Sequence, residues 1–106
     1  MNIQPSNADR QFLDLPSGRV AFTDEGAGAA VLCVHGLPGS ARDFRWLAPH
    51  IASGARVVRV DLSGFGESPS RSDADLSPLG RARFVIELAH ALELKNAVIL
   101  GHSMGG

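Results

Sequence analysis

Ala97-Val98-Ile99-Leu100-Gly101-His102-Ser103-Met104-Gly105-Gly106 is the stretch that decides the fold. A short apolar run without polar alternation enters the pattern G-x-S-x-G, which predicts a buried strand feeding a sharp turn that exposes a serine. Side chains two positions either side of Ser103 would meet the neighbouring strand and the first turn of a following helix. Gly101 and Gly105 remove them. A helix predicted from Met104 would aim its unpaired N–H groups and positive end at a reacting carbonyl oxygen. Met104 is therefore read as a backbone N–H donor and Ser103 as a nucleophile. A serine hydroxyl needs a base to take its proton, and only three residues follow Ser103.

Working back from that turn, the same grammar recurs. Ala29 to Val34 is apolar without alternation, as expected of a strand covered on both faces of a parallel sheet, and it ends in His35-Gly36-Leu37-Pro38-Gly39. Ser40 is an N-cap with Asp43 as its capping-box partner. The helix expected there carries Phe44, Trp46 and Leu47 into the core, and Pro49 ends or bends it. A further buried strand, Arg56 to Val60, leads into Asp61 and the loop Leu62-Ser63-Gly64-Phe65-Gly66-Glu67-Ser68-Pro69. Arg59 is expected to reach solvent or to pair with Asp61 on the same strand face.

Ser77 and Pro78 occupy the N-cap and first positions of a helix. Phe84, Val85, Leu88, Ala89, Ala91 and Leu92 form its apolar face, with Arg83, Glu87 and His90 opposite. Asn96 ends it. Upstream, Phe12 to Leu15 and Arg19 to Thr23 flank the turn signal Pro16-Ser17-Gly18 and predict a hairpin. Residues 1–10 are read as a disordered leader, and 11–106 as the N-terminal part of one α/β domain. Helical crossovers between buried strands imply a parallel sheet wound right-handedly.

Composition narrows the partners. The 106 residues are 44% hydrophobic and 20% charged with a net charge of −1, which fits a globular chain and offers no electrostatic case for nucleic acid. No apolar run approaches the roughly 18 residues that span a bilayer, so no membrane partner is expected. The first ten residues lack the apolar core of a secretory signal, and a cytoplasmic location is the default expectation. The one cysteine, Cys33, excludes an intrachain disulfide and is read as an inert buried thiol. Gly26-Ala27-Gly28 precedes its strand instead of following one, which argues against a dinucleotide site. No cofactor is expected. No metal is expected either, since Cys33 and His35 share a strand face but find no third ligand.

A tetrahedral oxyanion needs a second donor. Ligands of open parallel sheets sit at the carboxyl ends of strands, where the 35–39 loop and the 101–105 turn both lie. If their strands are neighbours, roughly 4.8 Å apart, the Leu37 N–H faces Ser103. Leu37 and Met104 are the candidate oxyanion pair, with His35, Gly36, Gly101 and Gly105 shaping the loops that present them. His102 adjoins Ser103, but neighbouring side chains in so tight a turn diverge, so it is read as a packing residue or a wall of the site and not as a base. His50 and His90 are ordinary helix positions. Asp61 is read as an acceptor for the glycine-rich loop that follows it.

Three motifs in this order, His35-Gly36-Leu37-Pro38-Gly39, Asp61 to Ser68, and Gly101 to Gly106, resemble the α/β-hydrolase family over about residues 11–106. The group meant is the one that includes esterases, lactonases, dehalogenases and epoxide hydrolases. The resemblance implies a sheet ordered 1-2-4-3-5 in chain numbering, with Ser103 as nucleophile. Aspartate at that position would have suggested dehalogenase or epoxide hydrolase chemistry, so serine favours acyl transfer from a small-molecule ester. Members of the family place the triad acid and then the histidine after the nucleophile. The expectation is therefore an N-terminal fragment of a serine hydrolase, inactive alone and, with an uncovered apolar edge, prone to aggregate. The alternatives are a degenerate protein or binding module, and complementation by a chain carrying the missing C-terminal part.

Overall fold

The chain's hairpin is set by Pro16, Ser17 and Gly18. In the computed structural model, which describes residues 4–71 and 73–102, β1 (Gln11–Leu15) and β2 (Gly18–Gly26) pair antiparallel with Leu15 opposite Gly18. Gly18 adopts φ 143°, a backbone conformation that side-chain-bearing residues rarely take. Glu87 fastens the turn from outside, accepting from the Ser17 N–H at 2.9 Å and from its hydroxyl at 2.8 Å.

Three further strands, β3 (Ala30–Val34), β4 (Arg56–Asp61) and β5 (Val98–Gly101), complete one sheet in the order β1-β2-β4-β3-β5. β3 runs parallel to both β4 and β5, while β2 pairs antiparallel with β4. The helical crossovers between β3, β4 and β5 dictate this, because a parallel return requires a long connection. The order is the one the resemblance implied, and the sheet is mixed, an antiparallel hairpin joined to the expected parallel strands β4, β3 and β5.

Two apolar layers explain the uninterrupted hydrophobic run of β3 and the valines of β4. On one face Val20, Phe22, Leu32, Val34, Val58, Val60 and Leu62 pack with Phe84 and Leu88 of α2 (Pro78–Ala91). On the other, Cys33 and Val57 meet Phe44 and Ala48. Each valine, leucine or phenylalanine among them contributes about 1.5–3 kcal/mol on leaving water. Ser77 caps α2 by accepting from the Gly80 N–H at 3.1 Å. Positive φ at Glu93 and at Asn96 turns the chain out of α2 toward β5. β5 pairs with β3 alone among the described residues, and Val98 and Ile99 are exposed.

Three expectations are corrected. Pro49 neither ends nor bends a helix begun at Ser40. A 3-10 turn at Ala41–Phe44, with the expected Ser40–Asp43 capping box, is followed by a separate α1 (Ala48–Ala52). Pro49 sits in the first turn of α1, where its missing N–H would have no intrahelical partner anyway. The broken helix presents Phe44 and Ala48 inward but leaves Trp46 48% and Leu47 45% exposed, so neither belongs to the core. Arg59 neither reaches solvent nor pairs with Asp61. It is buried, donating to Glu25 Oε1 at 3.0 Å, Ser6 Oγ at 2.8 Å and the Ala41 carbonyl at 3.2 Å. In the β2–β4 register Thr23 opposes Arg59, so Glu25 is its diagonal neighbour on the same face.

Residues 4–10 carry no helix or strand, yet Ser6 and Arg10 bond to side chains of the sheet. No described helix is long and apolar enough to cross a membrane.

Candidate active site

The carboxyl ends of β3, β4 and β5 form one rim. From β3 the chain passes into His35, whose side chain is fully buried. Its Nε2 accepts the Leu62 N–H at 2.9 Å, which makes Nδ1 the protonated nitrogen; Nδ1 then donates to the Gly36 carbonyl at 2.7 Å. Both ring nitrogens are thereby occupied, and the Phe65 ring lies edge-on at 5.9 Å. His35 ties its own loop to the loop after β4, a contact for which the sequence carries no signal.

Glycine is required at position 39. A Cβ there would lie 2.6 Å from the Gly36 carbonyl oxygen and against the Asp43 carboxylate. Gly36 is buried, and the Leu37–Pro38 bond is cis. Leu37 packs on the main core and, with Val34, Leu62, Val85 and Ile99, lines an apolar cavity of about 450 Å³. The Arg81 guanidinium lies at its wall, 5.5 Å from the centre of the Phe65 ring.

Asp61 ends β4 with its side chain out of contact with water. Oδ1 accepts the Ala41 N–H at 2.7 Å and Oδ2 the Glu67 N–H at 3.0 Å. Arg10 spans both oxygens, Nε to Oδ2 at 2.8 Å and Nη2 to Oδ1 at 3.3 Å. Burial by itself would raise the Asp61 pKa. The guanidinium and the two backbone donors outweigh it and hold the carboxyl below its ordinary value. The expected bond to the following loop is present, through Glu67. Gly66, at φ 54°, passes so close that a Cβ would strike the carboxylate. The Asp61 carbonyl accepts the Ser68 hydroxyl at 2.6 Å, and that same hydroxyl accepts the Ala21 N–H at 2.8 Å.

β5 brings the third element to the rim. Val34 pairs with Gly101, and the His102 N–H donates to the Val34 carbonyl at 3.1 Å. The chain thus leaves β5 beside the start of the 35–39 loop, with His102 exposed. Ser103, Met104 and Gly105, and the helix expected from Met104, lie outside the described residues. Arg10, Ser6 and the Ala41 N–H were not anticipated. Ser6 and Arg10 sit in a polar stretch with no pattern to single them out.

Cys33 is fully buried, and burial pushes its thiol up to about 11. Among the described residues no group of three His, Cys, Asp or Glu side chains is placed to hold a metal ion.

The alpha/beta hydrolase fold model matches residues 29–106. An epoxide hydrolase of Caballeronia sordidicola is 40% identical over 85 residues, covering 78% of this chain and 26% of that protein. A haloalkane dehalogenase of Sphingobium indicum is 32% identical over 100 residues, covering 87% and 32% respectively. Among solved structures, an esterase from Exiguobacterium antarcticum superposes with a TM-score of 0.83 at 28% identity, covering 90% of this chain and 36% of that one. The chain therefore spans about a third or less of the length of the first two relatives.

Proposed function

Because this chain belongs to the alpha/beta hydrolase fold family, we propose that the protein carrying it hydrolyses a carboxylic ester or related acyl bond of a small molecule through an acyl-enzyme at Ser103. The three matched proteins bear names of three different chemistries, so family membership leaves the reaction open. The residue at position 103 supports one of them.

A serine oxygen that opened an epoxide or displaced a halide would form an alkyl ether, which water does not release under mild conditions. A carboxylate in its place would form an ester, which water can hydrolyse. Serine turns over only if it attacks a carbonyl-type carbon, where the intermediate is itself an ester. The single observation that carries the reading is thus the serine at position 103 of a G-x-S-x-G sequence whose first glycine, Gly101, ends β5.

The proposed roles follow the rim. Ser103 attacks the acyl carbon. The Leu37 and Met104 N–H groups receive the oxyanion, with Gly36, Gly101 and Gly105 allowing the close approach. The His35 ring, whose nitrogens already bond Leu62 and Gly36, fixes the loop and leaves proton transfer to another group. In the nucleophile–acid–histidine order of this fold, the base and its acid partner come after Ser103, and the activity proposed is that of the whole protein.

The test is Ser103→Ala in the intact natural protein, with p-nitrophenyl esters as substrate. Ester turnover should fall by about a thousandfold or more with the fold retained. An unchanged rate would overturn the assignment. The names of the relatives favour a second reading, epoxide or haloalkane hydrolysis. It would be preferred if styrene oxide or 1-chlorobutane were turned over and esters were not.

A further inference from the structure

The 35–41 segment is held at both ends by groups of the β4 end. His35 takes the Leu62 N–H at its start, and Asp61 takes the Ala41 N–H at its finish. Leu37 lies between these anchors. Asp61 is the stronger of the two, since its carboxylate gathers donors from three separate parts of the chain: Arg10, Ala41 and Glu67. Among the described residues its charge is balanced by Arg10, 51 residues away in sequence, whose side chain is 14% exposed. Glu67, 3.7 Å from the Arg10 Nε, is a weaker and more exposed competitor for that cation.

The geometry points to Asp61 and Arg10 as positioning residues of the proposed oxyanion site, a pair that fixes where the Leu37 N–H stands. This rests on the acyl-transfer reading above. Removing Arg10 leaves a buried carboxylate without its counter-ion, so the carboxylate must draw in water or a proton. Either change loosens its hold on the Ala41 N–H. A donor displaced from a developing oxyanion costs transition-state stabilisation while leaving ground-state binding nearly intact.

The experiment uses the intact natural protein with Arg10→Met, Arg10→Lys, Asp61→Asn and, in parallel, Ser103→Ala. On p-nitrophenyl esters, Arg10→Met should lower kcat by about tenfold or more, with KM within about twofold. Arg10→Lys should recover part of the loss because it restores the charge. Amide hydrogen exchange should quicken at Ala41 and Glu67 in Arg10→Met and stay unchanged at Val58 in the centre of β4. If Ser103→Ala keeps its rate, the acyl-transfer reading falls and this pair's role falls with it. If Ser103→Ala is inactive but Arg10→Met keeps a normal kcat, the positioning role alone is overturned. Faster exchange without any loss of kcat would likewise overturn it, by showing a clamp that positions nothing. Because Arg10 lies outside every strand and helix and keeps some contact with solvent, its variants remain informative even if Asp61→Asn does not fold.

Discussion

Val34 and Gly101 stand opposite each other at the ends of parallel strands β3 and β5, and the next amide, that of His102, donates to the Val34 carbonyl at 3.1 Å. Two chain segments separated by more than sixty residues therefore leave the sheet side by side at one rim. One continues into His35 and Leu37, the other toward Ser103. Neighbouring strands lie about 4.8 Å apart, and the function proposed above relies on that spacing to set the Leu37 N–H near the acyl group on Ser103.

Gly66 is the tightest constraint in the loop after β4. Its φ of 54° and the clash that a Cβ would make with the Asp61 carboxylate act together. Gly66→Ala should destabilise the protein by on the order of 2 kcal/mol or more. Denaturant unfolding checks this, and a change within about 0.5 kcal/mol would show that the loop can shift freely.

Arg59 is 2% exposed and leans on Glu25 for its counter-charge. Glu25→Ala should cost about 3 kcal/mol, because it strands a buried guanidinium. The double variant Glu25→Ala, Arg59→Met should recover much of that loss. If the single and double variants proved equally unstable, the ion pair would not be the cause.

Asp61 titrates below its ordinary value in the folded state. A depressed carboxyl contributes stability that is complete above its unfolded-state value, about 3.9, and that disappears as pH falls through the lower folded value. Arg10→Met removes a principal cause of the depression, bringing the folded value closer to the unfolded one. The acid-unfolding midpoint of Arg10→Met, followed by circular dichroism, should then lie at higher pH than that of the unaltered protein. Coincident midpoints would place the acid sensitivity elsewhere.

Much of the fold is legible in local patterns. The unalternating run of β3, the Ser77–Pro78 start of α2 and the Pro16–Gly18 turn each specify their element from a few neighbouring residues, and each is found where that pattern puts it. The segment after Ser40 departs from its pattern for a physical reason. A proline is equally consistent with the end of one helix and the beginning of the next, and only packing of Phe44 and Ala48 under the sheet decides which. Trp46 and Leu47 are exposed as a result. Hydrophobic side chains on a short, broken helix cannot all turn inward.

By itself, the sequence determined the family, the succession of the strands, and the loops that follow β3 and β4, because each depends on residues close together along the chain. The tertiary structure alone decided which charges pair. Arg59 meets Glu25 across the β2–β4 ladder, and Asp61 accepts from Arg10. A buried charge is satisfied by whichever opposite group folding brings within hydrogen-bond reach, and that distance is a property of the packed sheet, with no trace in local spacing.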